Sequence, residues 1–367
     1  MRILQVTGTT TGGVARHVSQ VVDVLRSHGH DVRLAGPAGV VADVVLGAPV
    51  PAAVVDLRDR PSGADLATVR RLRHLAAGAD VVHAHGLRAG AAAALAVRSL
   101  PRRPRLVVTE HNLAVGSARV RAIAQALEAV VARGADVVLP VAPDLAERAR
   151  RLGARHVEVA VIPAPAPRAV RATAAEVRRD LGLLGGQRLV LSVARLAPQK
   201  GLDLLVDAAA AAEQLLPART DGAPAAVWCV AGGGPLGPEV AAAATAAGAP
   251  VRVLGPRADV PDLLAAADVV VSTSVWEGQP ISLGEAMHAG AAVVATEVGG
   301  TGLVVGDAAL LTGRDAAEVS AAVVQVLLDT ELAGRLGDRA RRRSAELPDE
   351  GDLHRQLVSV YEPGSRC

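Results

Sequence analysis

The feature that most constrains the fold is a regular alternation between short apolar runs and longer segments rich in alanine, leucine and arginine. The apolar runs are continuous, which is typical of strands that are buried on both faces of a parallel sheet. They predict strands at 2–7, 31–35, 54–57, 81–83, 106–109, 137–139 and 158–162, and again at 188–193, 226–231, 251–254, 269–272, 292–295 and 309–311. The segments between them predict helices at 14–28, 65–77, 88–99, 117–133 and 143–152, and at 202–216, 235–247, 261–267, 281–289 and 316–328.

The segment IPAPAPR at 162–168 separates the two series. Three alternating prolines are incompatible with a helix interior and predict a stiff, extended linker. The 367 residues therefore predict an α/β protein with two doubly wound, parallel-sheet, Rossmann-like domains that face each other across a cleft, at 1–165 and 166–348. The tail at 332–361 is expected to be helical and to close the second domain, with 349–367 as a last helix and tail able to pack back towards the first. Ligands of such folds bind at the carboxyl ends of the strands.

Composition excludes several classes of protein. There are three aromatic residues and no phenylalanine, so the base-stacking platforms of single-strand nucleic-acid binders are missing and no nucleic-acid partner is expected. Two cysteines supply neither a disulfide framework nor a four-thiolate zinc site. The start MRILQVTG lacks a signal peptide, and the longest apolar stretch, 44–55, is too short to span a bilayer, so a cytoplasmic protein is expected.

Charge is distributed unevenly along the chain. Residues 1–168 carry 22 arginines against 13 acidic residues, a net charge of +9, whereas the remainder is at −7. Solvated helix faces would account for this. The alternative is a first half that meets an anionic substrate or the cytoplasmic face of a membrane.

Two cations mark a candidate phosphate site. Arg195 and Lys200 follow the predicted strand 188–193, and Lys200 is the only lysine in the chain. A turn at a strand's carboxyl end with two cations suits a diphosphate, although a solvated loop pair is the alternative. The GGGPLG run at 232–237 matches the dinucleotide pattern, but no acidic residue ends the next strand, which disfavours dinucleotide binding.

Two carboxylates flank a second candidate phosphate site. Glu277 lies on a loop before Pro280, which suits a first helical turn, and Glu285 lies more than one turn into that helix. A helix N-terminus can hold phosphate, whereas the carboxylates themselves would repel it. They are therefore expected to accept hydrogen bonds from sugar hydroxyls.

Taken together, these motifs resemble the retaining glycosyltransferases of the GT-B fold in glycosyltransferase family 4. The resemblance rests on GGVARH at 12–17, DVVHAHG at 80–86, VVTEHN at 107–112, Arg195 with Lys200, and Glu277 seven residues before Glu285. Two places depart from the usual pattern. Pro163 is not followed by Asn-Gly and an acidic residue, and the double glycine at 299–300 is followed by TGL at 301–303 where the family often has Pro-Glu.

The resemblance implies roles for individual residues. Arg195 and Lys200 would bind the donor's diphosphate, and Glu285 would hold the nucleotide ribose. Glu277 would hold the donor sugar, with the backbone around Gly278, Pro280 and Ile281 nearby. Gly12 and Gly13 would border the donor phosphate, and His85 and His111 would line the cleft near the transferred sugar. His83, inside an apolar strand, is expected to be a core residue, and His288 a packing residue.

The activity implied is transfer of a sugar from a UDP- or GDP-linked donor to a hydroxyl of a glycan, glycolipid or small molecule, with retention and with the acceptor on the first domain. The chain contains no Asp-x-Asp pair, so no metal is expected and the nucleotide sugar is a co-substrate rather than a cofactor. Two alternatives remain at this point. One is a sugar-nucleotide epimerase of the same fold, and the other is a catalytically silent homologue that binds a sugar nucleotide.

Overall fold

The computed structural model describes residues 1–9, 13–45, 50–57, 65–113, 117–164, 166 and 168–362, with only the backbone at 43–45. It divides into two compact units. One comprises Met1–Pro163 and Pro348–Cys367, and the other comprises Ala164–Leu347. Gly12 of the predicted site lies outside the described residues.

The first unit is built on a six-stranded, all-parallel sheet of order β3-β2-β1-β4-β5-β6. This is the doubly wound order, in which strands are added first on one side of β1 and then on the other. The strands are β1 Arg2–Thr7, β2 Asp31–Gly36, β3 Ala52–Val54, β4 Val81–His85, β5 Arg105–Glu110 and β6 Val137–Pro140. The helices are α1 Gly13–Ser27, α2 Ala38–Val45, α3 Asp65–Ala76, α4 Leu87–Arg98, α5 Ala118–Gly134 and α6 Pro143–Arg151, together with the last helix of the chain, α15 Glu350–Tyr361.

The second unit repeats the same design, with a parallel sheet of order β12-β11-β10-β7-β8-β9. Its strands are β7 Arg188–Val193, β8 Ala226–Ala231, β9 Val251–Gly255, β10 Val269–Ser272, β11 Val293–Thr296 and β12 Ala309–Thr312. Its helices are α7 Ala174–Asp180, α8 Leu202–Leu215, α9 Gly237–Ala246, α10 Val260–Ala266, α11 Ile281–His288, α12 Thr301–Val305, α13 Ala316–Leu328 and α14 Thr330–Ala345, with a single 3-10 turn at Pro198–Lys200. The predicted fold class is confirmed.

Hydrophobic burial on both faces of each sheet explains why the continuous apolar runs became strands. In β8 all six residues are buried, including Trp228 and Cys229, and β1 is buried from Ile3 to Thr7. Gly29 and Gly153, which the sequence places just after helices, adopt positive φ angles of 79° and 94° there.

Two predicted strands are wrong. The strand expected at 54–57 lies at Ala52–Val54, because β2 ends at Gly36, which pairs with Val54 and leaves no partner beyond it. Residues 158–162 do not form a regular strand, although the isolated bridge Val138–Val157 and the backbone bonds from Glu158 to Val138 and from Ala160 to Pro140 place the segment beside β6. The backbone N–H of Val161 instead donates to the side-chain oxygen of Gln356, at 2.7 Å.

Three helices were not predicted, α2, α7 and α12. The sequence does carry a signal for α7, because Thr173 and Glu176 form a reciprocal capping box at its start. The tail forms two helices, which separate at Leu347-Pro348. The expectation that the whole tail closes the second domain is wrong, because α15 belongs to the first unit, where the Tyr361 side chain is buried.

A search of the described helices finds none with the length and apolar character needed to cross a bilayer.

Candidate active site

Lys200 is positioned by the turn that follows β7. The 3-10 turn Pro198–Lys200 ends at Gly201, whose φ of 56° is left-handed. A Cβ there would collide with the backbone oxygen of Thr273, so both conformation and space require glycine. The Lys200 ammonium donates a hydrogen bond of 2.5 Å to Oε1 of Glu277.

Glu277 is held from the opposite side, on the segment that follows β10. Ser274 Oγ donates to the same Oε1 at 2.6 Å, and the backbone N–H of Gly300 donates to the Glu277 carbonyl at 3.0 Å. The Glu277 side chain is 8% exposed and that of Lys200 is 19% exposed. The structure thus joins two residues, predicted to bind different parts of a donor, into one largely buried ion pair.

Glu285 lies on α11, five residues into the helix counting from Ile281. Pro280 is the N-cap residue just before this helix, and Gly278 lies two residues earlier. Oε1 of Glu285 accepts a hydrogen bond of 3.0 Å from Arg168. The predicted ribose ligand therefore has a cationic partner that sequence reasoning missed.

Arg168 and Glu285 border a small cavity of about 90 Å³. His288, predicted to be a packing residue, also lines this cavity. The remaining lining is mostly apolar and includes Val260 and Leu264. Arg195 follows β7 in the chain, is exposed, and has no side-chain ion pair among the described residues.

Three histidines of the first unit gather at the carboxyl edge of its sheet. His85 is the last residue of β4, His111 follows β5, and His17 lies in the first turns of α1. All three are buried, and one ring nitrogen of each lies within 4.8 Å of the others. Sequence reasoning quoted His17 in a motif but gave it no role. Gly13, predicted to border a phosphate, is the first residue of α1 and is exposed.

Burial keeps these imidazoles neutral. Loss of hydration lowers the pKa of His17 to about 4 and holds the pKa values of His85 and His111 well below the usual range. His83 is the core residue that the sequence predicts, because its Nδ1 pairs with the Tyr361 hydroxyl and its Nε2 with the Thr109 hydroxyl, both at 2.7 Å.

Near His111, the first residues of α5 and part of α6 line a cavity of about 350 Å³. Its polar lining includes Arg121, Gln125, Glu128 and Arg148, and Arg148 Nε donates to Glu128 Oε2 at 2.6 Å. The neighbouring Glu110 is buried, and its pKa is raised to about 7, mainly by loss of hydration and then by the charge of Glu128. No sequence pattern pointed to Glu110 as an unusual carboxyl.

Two parallel sheets of identical strand order and the groups at their carboxyl edges are the design of GT-B glycosyltransferases. HepE of Anabaena, solved in complex with UDP, superposes with a TM-score of 0.79 over 98% of this chain and 99% of that one, at 22% identity. WaaG, a glycosyltransferase of lipopolysaccharide biosynthesis, superposes with a TM-score of 0.70 over 99% and 100% of the two chains, at 16% identity. These likenesses establish the fold.

Sequence comparison adds the family. Residues 12–165 match the glycosyl transferase 4-like domain, and residues 187–329 match the glycosyl transferases of group 1. The chain belongs to this glycosyltransferase family, as the sequence motifs predict.

Two curated relatives are about one third identical to this chain over the aligned residues. The D-inositol 3-phosphate glycosyltransferase of Salinispora arenicola is 32% identical over 207 residues, which cover 51% of this chain and 45% of the relative. The lipopolysaccharide core mannosyltransferase LpsB of Rhizobium meliloti is 31% identical over 202 residues, 51% and 55% of the two chains. The match thus spans about half the length of these relatives.

Proposed function

We propose that the protein is a retaining glycosyltransferase that moves a sugar from a nucleoside diphosphate sugar to an acceptor hydroxyl. The observation that carries the proposal is the ion pair of Lys200 and Glu277, held by Ser274 beside the start of α11. An ammonium has three donors, and Glu277 uses one of them, so the others can bind a diphosphate. Family membership supplies the reaction class.

The proposed roles follow the chemistry of each group. Lys200 and the exposed Arg195 stabilise the negative charge that develops on the departing diphosphate, together with the N-terminus of α11 around Gly278 and Ile281. Glu277 accepts hydrogen bonds from the transferred sugar, and Glu285 from the nucleotide ribose. Because cationic side chains and a helix N-terminus provide the positive field, we propose that transfer needs no divalent metal.

His85 and His111 complete the proposed site on the first unit. Burial holds their pKa values well below the usual range, so both rings are neutral at pH 7. His85 pairs with Gln5 and His111, so contact with a sugar would replace the bond between the two histidines. Retention is proposed to arise from attack on the same face of the sugar, assisted by the departing phosphate.

The acceptor is proposed to be anionic or lipid-linked. The 350 Å³ cavity beside α5 offers the guanidinium groups of Arg121 and Arg148 together with an amide and a carboxylate, a lining that suits a polyhydroxylated, anionic molecule. This cavity is proposed as the acceptor side of the reaction.

A second cationic surface supports peripheral contact with the cytoplasmic membrane face. Arg70, Arg71 and Arg73 near the end of α3 and Arg98 at the end of α4 are exposed, and Arg73 reaches the carbonyl of Ser99 at 3.5 Å. These helix ends lie at the amino edge of the parallel sheet, opposite His85. The arginines would therefore attach the protein to an anionic surface rather than bind the acceptor at the site.

The donor is tested by thermal stabilisation with UDP, GDP and a panel of their sugar derivatives. One nucleotide should raise the melting temperature of wild type and of Arg342→Ala, which removes an exposed arginine of α14, but not of Arg195→Ala. Transfer of a radiolabelled sugar from the stabilising donor to membrane lipid and glycan extracts then tests catalysis. Absence of stabilisation by every nucleotide would refute the proposal.

Surface attachment is tested by co-sedimentation with anionic and neutral vesicles at low and high salt. Binding to anionic vesicles alone, lost at high salt and in Arg70→Ala/Arg71→Ala/Arg73→Ala, is expected. Equal and negligible binding to both vesicles would favour a water-soluble acceptor.

A further inference from the structure

Three imidazoles lie close together in the first unit. The ring centroids of His17, His85 and His111 form a nearly equilateral triangle, with separations of 5.9 Å, 5.4 Å and 5.6 Å. They come from three different elements, α1, the end of β4 and the segment after β5. We propose that this cluster is a binding site for Zn²⁺ or a similar transition-metal ion, with one ring nitrogen from each histidine as ligand.

The spacing of the nitrogens suits a tetrahedral metal. His85 Nδ1 lies 3.3 Å from His111 Nε2. Two nitrogens on a tetrahedral Zn²⁺, with bonds of about 2.0–2.1 Å, lie about 3.3 Å apart. The ligand nitrogen of His17 lies within 4.8 Å of the other two, so a small shift of one ring completes the set.

The protonation state of His85 is fixed in the form that binds metals. Its Nε2 lies 2.8 Å from Gln5 Oε1, which can only accept, so Nε2 carries the proton and Nδ1 keeps its lone pair. The Gln5 amide is oriented in turn by its Nε2, which donates to the Tyr361 hydroxyl at 3.4 Å. A ligand histidine that donates its other N–H to an oxygen is the usual outer-shell arrangement of metal sites.

His17 supplies the second, independent sign of a missing ligand. Its side chain is 3% exposed, and within the described part of the chain no group hydrogen-bonds to its Nδ1. A hydrogen bond between His85 and His111 would leave this buried ring unsatisfied, whereas a metal ion binds all three rings.

Three protein ligands leave a fourth position for water or an inhibitor. The proposed function assigns His85 and His111 to the donor sugar. If that function holds, zinc and the donor compete for these two histidines. Zinc is then an inhibitor, and chelation restores transfer. Metal binding itself does not depend on the proposed function.

The test is titration of the chelator-treated protein with ZnCl₂ in competition with a chromophoric chelator. We expect one zinc per chain, with binding lost in His17→Ala and unchanged in His354→Ala. The control removes one ring of a second histidine group, because His354 stacks on His28 at 3.5 Å on the same unit and could collect zinc adventitiously.

Two further measurements cover a failure of His17→Ala to fold. Gln5→Ala removes the oxygen that accepts from His85 and the amide contact with Tyr361 but no proposed metal ligand, and it should weaken zinc binding by about 10–100-fold. Co²⁺ added to wild type should show the intense visible bands of tetrahedral coordination. No bound zinc in wild type, or zinc lost with His354→Ala and kept with His17→Ala or Gln5→Ala, would overturn the proposal.

Discussion

Glu110 should make the first unit less stable as the pH rises. This carboxyl is buried at the end of β5, and its pKa is raised from 4.5 to about 7. A group with a raised pKa in the folded state contributes stability below its unfolded pKa, and that stability is lost as the pH rises through the folded pKa. The window of loss therefore runs from 4.5 to about 7.

The magnitude follows from the size of the shift. Each pKa unit corresponds to about 1.36 kcal/mol, so Glu110 costs the folded state about 3 kcal/mol once it is ionised. Glu110→Gln cannot ionise. Between about pH 4.5 and pH 8, wild type should therefore lose about 3 kcal/mol of unfolding free energy relative to the variant. Any packing effect of the amide is the same at every pH and does not change this difference.

Hydrogen exchange of β5 peptides is the appropriate measurement, because both tryptophans, Trp228 and Trp276, lie in the second unit and fluorescence would report on that unit. Glu128→Gln is the matched variant. It removes a charge that helps to raise the Glu110 pKa, so the upper end of the window should move to lower pH and the total loss of stability should be smaller. Parallel pH profiles for wild type and Glu110→Gln would refute the reasoning.

Three other predictions concern the candidate site. Lys200→Ala should lower kcat/KM for sugar transfer by an amount equivalent to about 2–4 kcal/mol of transition-state stabilisation. Circular dichroism checks that the unpaired Glu277 has not unfolded the second unit. Wild-type turnover would contradict the assignment. Glu285→Gln should weaken binding of the bare nucleoside diphosphate in calorimetry, whereas Glu277→Gln should weaken binding of the sugar-bearing donor only. If both variants bind nucleotide and donor with wild-type affinity, the two glutamates are structural. Zinc-free enzyme should keep its initial rate in excess EDTA, and a loss that Mg²⁺ or Mn²⁺ restores would contradict metal-independent transfer.

The sequence predicted the two sheets well because burial on both faces leaves a continuous apolar signature. The strands at 188–193, 226–231 and 269–272 lie where that signature placed them. The segment at 158–162 pairs with β6 only through Glu158 and Ala160, and the N–H of Val161 donates to the side chain of Gln356, 195 residues away in the chain. Local patterns cannot report such long-range competition.

The candidate site shows the same limit. Lys200 and Glu277 could be nominated from their motifs, but their direct ion pair joins residues 77 positions apart. Arg168 carries no local signal, since its partner Glu285 is 117 positions distant. His17 was overlooked because a histidine within an amphipathic helix gains its meaning only from the two strand ends beside it.

The position of α15 has a consequence for the order in which the chain can fold. Tyr361 and Gln356 occupy the interior of a unit whose other elements lie before Pro163, with Ala164–Leu347 intervening in the chain. A nascent chain that has emerged as far as Leu347 can complete the second sheet, yet His83 still lacks its phenol partner and the N–H of Val161 still lacks its amide. During synthesis the unit that starts first is therefore finished last.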